Sequence, residues 1–544
     1  MAGLHWKKLI EPRTDAPFPL WMIFPVVFVA LYVSHFTLLR LPYYWDEAGY
    51  YIPAAWDFFR TGSLIPTSTL SNAHPPLPSI YLALWWKASG FLPEVTRQAV
   101  LMVAALGLLA VWRLALRLTG SAAVAFWTVL LTGIYPIWFA QSTLAHADIF
   151  AAACCLWGLV YSLPERNRNS RAAFVWFTLA VLSKETAIVI PLALAMVRLV
   201  SGLRSSPPAR RLLLAQSAWL AGCVFPLAAW YGWHYAKTGF LFGNPEFLRY
   251  NAQATLQPLR ILIAFGHRIL HLTMHMNMFA PVLLTLAALM LPPRPNADGH
   301  DRPGIEPGPL RDILVLLLVN AVFFSVLGGA LLCRYLLPMY PLELLIAVTI
   351  WQRRVPMWPL LAVLSAAAFV AALFIDPPYC FAPEDNLAYA HVIRLHEAGI
   401  AQLKALYPGA TVLSAWPMTD ELSRPELGYV KQPWDVFAID DFSFAQIDRA
   451  AQYPGRYSAA LVFSTKYDPP PLISLGRRFD ERYFGLHHDL PPEVIAHQLN
   501  GTLVWKKEDQ GMWIALIRFN RQFEGRLEGP RFPGKKGIGL NSLW

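Results

Sequence analysis

Two adjacent carboxylates, Asp46 and Glu47, are the residues of this chain whose position most suggests chemistry. They follow closely after an apolar run over residues 19–39, which has the length of about 20 residues that a membrane span requires. Ionisable groups at the edge of a membrane are costly to place there and often mark a functional site. A carboxylate can take a proton from a hydroxyl group or hold a sugar. The neighbouring aromatic residues fit either an interfacial anchor or a sugar-stacking surface: Tyr43, Tyr44, Trp45, Tyr50 and Tyr51.

Further polar residues stand at the ends of other apolar runs. Cations at the membrane boundary can hold a phosphate. Together with carboxylates, they suit a donor substrate made of a lipid, a phosphate and a sugar. The remaining candidate residues for substrate binding are His74, Asp148, Lys184, Glu185, Arg249, Arg334 and Tyr335.

Each of these residues also has a simpler explanation when taken alone. Asp148 could be an amino-terminal helix cap, and Lys184 with Glu185 could be a local ion pair. Arg260 could extend its side chain to the lipid headgroups, and His146 is best explained as a structural residue. The pair formed by Asp46 and Glu47 is harder to explain in this way.

The composition is that of a membrane protein that crosses the bilayer many times. Of the 544 residues, 56% are hydrophobic and 15% are charged, whereas a soluble globular protein is about 25% charged. The apolar runs predict about eleven spans. The net charge of +10 does not indicate nucleic acid, because the basic residues cluster in short loops between spans.

The basic residues also predict an orientation, since loops rich in Arg and Lys stay in the cytoplasm. The first span is expected to be retained rather than cleaved as a signal peptide. We therefore expect a multi-pass protein of the cell (inner or plasma) membrane, with the candidate site and the carboxyl terminus extracytoplasmic. The loops expected inside, together with the basic amino terminus, are 113–117, 165–171, 198–211 and 352–354.

The composition changes at residue 376, after which the chain is less apolar and carries mixed charge. A helical run over 384–406 precedes several strand-like segments, a pattern typical of an α/β fold. We predict a transmembrane domain over residues 1–375 and a soluble extracytoplasmic α/β domain over residues 376–544. The strand-like segments are 411–416, 429–439, 457–467 and 502–519.

Several function classes are disfavoured by missing motifs. The sequence has no Walker A motif, no GxGxxG and no HExxH, which argues against an ATP-driven pump and a metalloprotease. The five cysteines show no spacing typical of a disulfide framework or a zinc site. A donor carried by a lipid suits chemistry outside the cytoplasm, where there is no nucleotide pool.

Five short motifs, in this order and at fitting topology, resemble those of the GT-C superfamily of membrane glycosyltransferases. The resemblance covers residues 19–375, and it is to the branch of the protein O-mannosyltransferases and the lipid A aminoarabinose transferases. The motifs are WDE (45–47), HPPL (74–77), AHADIF (145–150), SKET (183–186) and RYLLPMYP (334–341).

The resemblance implies a GT-C fold and a role for each motif. Asp46 would be the catalytic residue and act as base toward the acceptor or position it, while Glu47 and Asp148 would bind the donor sugar or the acceptor. Lys184 and Arg334 would hold the phosphate of a polyprenyl-phosphate sugar donor. The partners would be this donor and membrane lipid, with a protein, lipid or glycan as acceptor and no nucleic acid.

Metal dependence is left open by one departure from the family pattern. The aminoarabinose transferases have an acidic residue and a Lys before the double Pro, where this chain has Ala73 and His74. A divalent metal is therefore an open expectation, and no other cofactor is expected.

Two alternatives belong to other function classes. A transporter or a flippase for lipid-linked sugars would carry polar residues in the middle of its spans and would have pseudo-symmetric halves, and neither is clear in this sequence. A non-catalytic scaffold would have its working surface in the outer domain, whereas the polar candidates lie in the membrane segment.

Overall fold

The structure is a computed structural model that describes residues 19–519 apart from a few short segments. The segments left out are 165–167, 254, 296–298, 300–301, 303, 470–478, 480–481 and 484–488. The basic amino-terminal segment used to predict the orientation lies outside the described residues, and so do residues 520–544 and parts of the predicted 165–171 loop.

Helices make up most of the described chain up to residue 374. They are α1 (Leu20–Ser34), α2 (Ile52–Thr61), α3 (Leu77–Ser89), α4 (Pro93–Thr119), α5 (Ala122–Ile134), α6 (Pro136–Gln141), α7 (Ala147–Ser162), α8 (Ser170–Ser183), α9 (Val189–Leu203), α10 (Pro207–Ala221), α11 (Val224–Thr238), α12 (Pro245–Leu248), α13 (Pro258–Thr273), α14 (Phe279–Leu289), α15 (Pro307–Val326), α16 (Tyr340–Arg354) and α17 (Trp358–Phe374).

The long helix α4 lies in the centre of the bundle. It begins with Pro93, whose fixed φ suits the first helical turn, and it ends before Gly120, whose φ of +68° is the left-handed conformation that glycine adopts without strain. Between them the helix is apolar on nearly all sides and mostly buried, as expected of a helix surrounded by other helices. It packs against α1, α5 and α7.

The outer helices expose large apolar side chains, which a soluble protein would bury. Trp21 and Val26 on α1 and Phe225 on α11 are examples, with 74%, 69% and 77% of their surface accessible. By length and composition, four helical stretches could cross a membrane, or five if the bent pair α13 and α14 counts as one. Five further apolar helices in the described chain are 10–17 residues long. The protein is therefore integral to a membrane, and the count of about eleven spans stays a prediction.

Two breaks in the helices bring polar residues into the bundle. The SKET turn separates α8 from α9, as the sequence predicts, with Lys184 in an extended conformation between them. The second break separates α13 from α14, whose axes differ by 99°.

The carboxyl-terminal part forms a mixed five-stranded sheet in the order β2-β1-β3-β5-β4. Strand β1 is parallel to β2 and β3, whereas β5 is antiparallel to β3 and β4. The predicted α/β pattern is thus confirmed, while the division into two domains at residue 375 stays a prediction. The elements are α18 (Ala388–Leu406), β1 (Val412–Ala415), α19 (Met418–Ser423), β2 (Val436–Ile439), α20 (Phe444–Ala451), β3 (Ala459–Phe463), α21 (Pro492–Gln498), β4 (Thr502–Asp509) and β5 (Met512–Arg518).

The sheet-bearing part packs directly on the loop that carries the first acidic motif. Trp416, just after β1, meets Trp45 edge to face, with ring centroids 5.0 Å apart. A Cβ atom on Gly49 would lie 2.7 Å from the Trp416 ring, so only glycine permits this approach. The residues that follow the last membrane helix are therefore placed beside the candidate site.

Candidate active site

A cavity of about 510 Å³ opens where the loops of the predicted motifs meet, a volume typical of ligand pockets. Its polar lining includes Asp46, His74, Lys184, Glu185, Arg334 and Tyr335, all of which are candidates from the sequence. The rest of its wall is largely apolar, with side chains that include Ile188, Leu227, Phe242, Phe247, Phe323, Phe324, Leu327 and Leu332. The cavity thus combines a charged region with a lipid-like wall.

The backbone around Asp46 directs this residue toward the cavity. Trp45 has a φ of +44°, which is uncommon for a residue with a side chain. A π-helical turn follows over Glu47–Tyr51 and runs into α2. Such turns occur frequently at functional sites.

Glu47 points away from the cavity and holds two loops together. Its carboxylate is fully buried and accepts backbone N–H bonds from Tyr44 at 2.9 Å and Ala145 at 2.7 Å. It also pairs with Arg97 at 3.3 Å. Arg97 in turn donates to the carbonyls of Leu41, Pro42 and Thr143 at 3.0, 2.6 and 2.9 Å. This contact joins the Asp46 loop to the loop that precedes Asp148.

Arg334 is the centre of the charged cluster and is itself buried. One terminal nitrogen pairs with Asp46, and the other donates to Glu384 at 2.5 Å. Its Nε lies 3.5 Å from Oδ2 of Asp148. The guanidinium group is thus surrounded by three carboxylates, and Arg334 also lines the cavity.

Lys184 and Glu185 diverge rather than pairing with each other, because the extended backbone at Lys184 sends the two side chains apart. The Lys184 ammonium group donates to Asp148 at 2.6 Å and lies 4.4 Å from the centre of the Tyr335 ring. Glu185 instead pairs with His74 at 2.9 Å. The local ion pair considered above is therefore wrong, and both residues line the cavity.

Asp148 has the environment of a site residue rather than of a helix cap. His146 is the cap residue of α7, and the Asp148 carboxylate pairs with Lys184 and Arg334. Asp148 is 4% exposed and does not line the cavity, so it holds the two cations from behind.

The charges of the cluster leave one carboxylate in excess, since Asp46, Asp148 and Glu384 surround Arg334 and Lys184. Burial raises the pKa of Glu384 to about 8, against the opposing effect of Arg334. Burial, and then the charge of Arg334, holds the pKa of His146 well below its usual range, so that His146 is neutral. Glu384 is almost fully buried, and its raised pKa favours the protonated carboxyl below about pH 8.

We expect the raised pKa of Glu384 to make the stability of the protein depend on pH. A carboxyl whose pKa is raised on folding binds more protons in the folded than in the unfolded state between about pH 4.5 and 8, so stability falls as the pH rises through that window. Glu384→Gln removes this titration. The melting temperature of the wild type relative to Glu384→Gln should decrease from pH 5 to pH 8 and then level off. A pH-independent difference would contradict the assignment.

Three arginines between residues 249 and 268 are not in the cluster. Arg260 is buried and donates to the carbonyls of Gly328 and Gly329 at 3.1 and 2.8 Å, so the expectation that it extends to the headgroups is wrong. Arg268 is also buried and donates to the carbonyls of Phe324 and Leu332. Arg249 is exposed and does not line the cavity.

Two residues that sequence reasoning missed complete the arrangement. Arg97 lies within an apolar helix, where a buried cation indicates a buried acidic partner. Glu384 follows the last membrane helix, in the segment predicted to belong to the outer domain. Like WDE, the PED segment (383–385) places a carboxylate shortly after a span, and this pattern could have identified Glu384 as a site residue.

One position bears on whether the site holds a divalent metal. Ala73 is buried and offers no ligand atom at the place where the aminoarabinose transferases carry an acidic residue. The residues of this chain therefore do not reproduce a metal site built on that side chain.

Comparison with known proteins gives one family match and a set of similar folds. Residues 73–233 match the family described as dolichyl-phosphate-mannose-protein mannosyltransferase. This segment contains His74, Asp148, Lys184 and Glu185. No curated protein matches the sequence of the chain.

Two solved structures of ArnT from Cupriavidus metallidurans have a similar fold over nearly the whole chain. For ArnT bound to undecaprenyl phosphate, the TM-score is 0.51 at 15% identity, covering 91% of this chain and 97% of that one. For the apo state, the TM-score is 0.50 at 14% identity, covering 92% and 98%. The mainly helical GT-C membrane fold with a carboxyl-terminal α/β part is confirmed, as is the resemblance to the mannosyltransferase and ArnT-like branch.

Proposed function

We propose that this chain, a membrane glycosyltransferase of the GT-C type, transfers a sugar from a polyprenyl-phosphate-linked donor to an acceptor on the extracytoplasmic face of the membrane. The observation that carries the proposal is the cavity, in which Asp46, Lys184 and Arg334 lie beside a wall of aliphatic and aromatic side chains. Such a lining suits a substrate with a charged, sugar-bearing head and a hydrocarbon tail. ArnT has been solved with undecaprenyl phosphate bound, which supports this donor class.

Asp46 is the group best placed to act as the base. Among the three carboxylates of the cluster it is the only one that lines the cavity, and its side chain is 19% exposed, against 3% for Asp148 and 5% for Glu384. It would take the proton of the acceptor hydroxyl while the hydroxyl oxygen forms a bond to the anomeric carbon. The bond from that carbon to the phosphate oxygen breaks, and the lipid phosphate leaves with the electron pair.

The leaving phosphate is assigned to Lys184, with His74 in support. The Lys184 ammonium group has three N–H donors and uses one on Asp148, which leaves donors for an anion in the cavity. His74 lines the same cavity and is held by Glu185 at 2.9 Å. Arg334 then has mainly a positioning role, because its two terminal nitrogens are paired with Asp46 and Glu384.

The transporter or flippase alternative is not favoured. The family match is to a transferase, and the charged residues gather beside one cavity. Glu384, from beyond the last membrane helix, belongs to the same cluster, so the polar residues are not confined to the membrane segment. What disfavours the scaffold alternative is the family match to a transferase.

Mass spectrometry of cell-envelope glycans tests the function. A strain that lacks the protein should lose one glycan modification and accumulate the matching lipid-linked sugar, and wild-type protein should restore the modification. Asp46→Asn should not restore it, whereas Asp448→Asn, a change at an exposed residue of α20, should. Identical glycans with and without the protein would contradict the proposed function.

The extracytoplasmic orientation is tested with fusions. A reporter that is active only outside the cytoplasm should work when joined after residue 376 and fail when joined after residue 205, because the 198–211 loop is basic. The reverse pattern would place the cavity at the cytoplasmic face.

A further inference from the structure

We propose that His275, Cys333 and Asp385 form a binding site for a zinc-like divalent cation, separate from the sugar-transfer cavity. Each offers one ligand atom, and the three atoms all lie within 4.8 Å of one another. This is the only such buried group of three found in the described part of the chain. None of the three residues lines the cavity.

The carboxylate of Asp385 gives the observation that points to a ligand. Its Oδ2 lies 3.0 Å from Nε2 of His275. Its Oδ1 is buried and makes no hydrogen bond of ordinary geometry with a described residue, while the Cys333 thiol interacts with the same carboxylate. A buried carboxylate oxygen without a partner is unfavourable, and a cation would satisfy it.

The imidazole of His275 is held as a metal ligand usually is. Its second nitrogen, Nδ1, lies 3.0 Å from the Tyr379 hydroxyl, which leaves Nε2 toward Asp385. A hydrogen bond at the far nitrogen fixes the orientation of a ligating imidazole. His275 directly precedes Met276 and Asn277, whose φ values of +48° and +62° form the break between α13 and α14.

The donor atoms define the class of cation. A thiolate, an imidazole nitrogen and a carboxylate oxygen suit Zn²⁺, whereas Mg²⁺ and Ca²⁺ prefer sites made of oxygen atoms alone. The Cys333 thiol would release its proton to solvent as the metal–sulfur bond forms. Three protein ligands leave a fourth tetrahedral position for water.

The site lies where three segments next to the charged cluster meet. It would join the break between α13 and α14, the turn at Cys333–Leu336 and the turn at Pro383–Asp385. Cys333 directly precedes Arg334, and Asp385 directly follows Glu384, the two residues that donate and accept the 2.5 Å hydrogen bond of the charged cluster. A bound cation would therefore stabilise the fold and hold this pair in place.

Metal binding is measured on the full-length protein purified in detergent and stripped with a chelator. After Zn²⁺ is added back and the excess is removed, we expect about one Zn²⁺ per chain by elemental analysis. We also expect a higher melting temperature with Zn²⁺ and no such rise with Mg²⁺. Co²⁺ should give a thiolate-to-cobalt charge-transfer band. These readouts do not depend on sugar transfer, so their failure is distinct from failure of the proposed function.

Variants separate a metal site from a hydrogen-bonded triad. Cys333→Ser and Asp385→Asn should lose the charge-transfer band and the zinc-dependent rise in melting temperature, whereas Cys155→Ser, at an equally buried cysteine of α7, should keep both. Tyr379→Phe should weaken Zn²⁺ binding by about 10- to 100-fold. A wild-type protein without stoichiometric Zn²⁺ and without the cobalt band would overturn the proposal, whether or not the variants fold.

Discussion

Replacing Asp46 with Asn is expected to lower sugar transfer by about 10²- to 10⁴-fold while leaving the protein folded, which is the usual effect of losing a general base. The amide keeps the volume of the side chain and can still accept a hydrogen bond from Arg334. It cannot take the acceptor's proton. Turnover is measured on purified protein with a synthetic polyprenyl-phosphate sugar.

The comparison with Asp448→Asn controls for the chemical change itself. Asp448 is exposed on α20, so its substitution should leave turnover at the wild-type level. Near-normal turnover by correctly folded Asp46→Asn would rule out the base role and leave Asp46 as a positioning residue.

Replacing Glu47 with Gln is expected to lower stability more than any other change discussed for this site. The substitution leaves the Arg97 guanidinium buried without its carboxylate and places an amide N–H₂ near backbone N–H groups. Breaking a buried ion pair from one side costs about 3–5 kcal/mol. The melting temperature in detergent should fall strongly. Activity should fall with it, because Glu47 no longer holds the Asp46 loop in place.

Glu94→Gln is the matched control. Glu94 pairs with Arg40 at 3.5 Å, but their side chains are 35% and 77% exposed, and such surface pairs contribute about 0–1 kcal/mol. A Glu47→Gln protein that melts like the wild type, yet no longer transfers sugar, would instead make Glu47 a substrate-binding residue.

The part of the site that could be predicted from sequence consists of residues fixed by short local patterns. Asp46, His74, Asp148, Lys184 and Arg334 each stand at the end of an apolar run, and all but Asp148 line the cavity. Such ends must lie near a membrane surface whatever the packing, because the bilayer fixes the length of the spans.

The sequence could not assign partners to charged residues that are adjacent in the chain. Although Glu47 directly follows Asp46, Glu47 pairs with Arg97, whereas Asp46 pairs with Arg334. The direction of each side chain depends on the π-helical turn and on the φ of Trp45. Neither conformation is specified by the local residue types, because they are imposed by packing against other elements.

The sequence by itself determined that this is a membrane protein of many helices, that a mixed α/β segment follows them, and which loops meet at the cavity. The reason is that hydrophobic periodicity and length are local properties of the chain. Only the tertiary structure decided that Arg260 and Arg268 donate hydrogen bonds to backbone carbonyls and that Arg334 lies among three carboxylates. One of these, Glu384, comes from beyond the last membrane helix. A buried charge takes the partner that packing brings within reach, and that partner can be hundreds of residues away in the sequence.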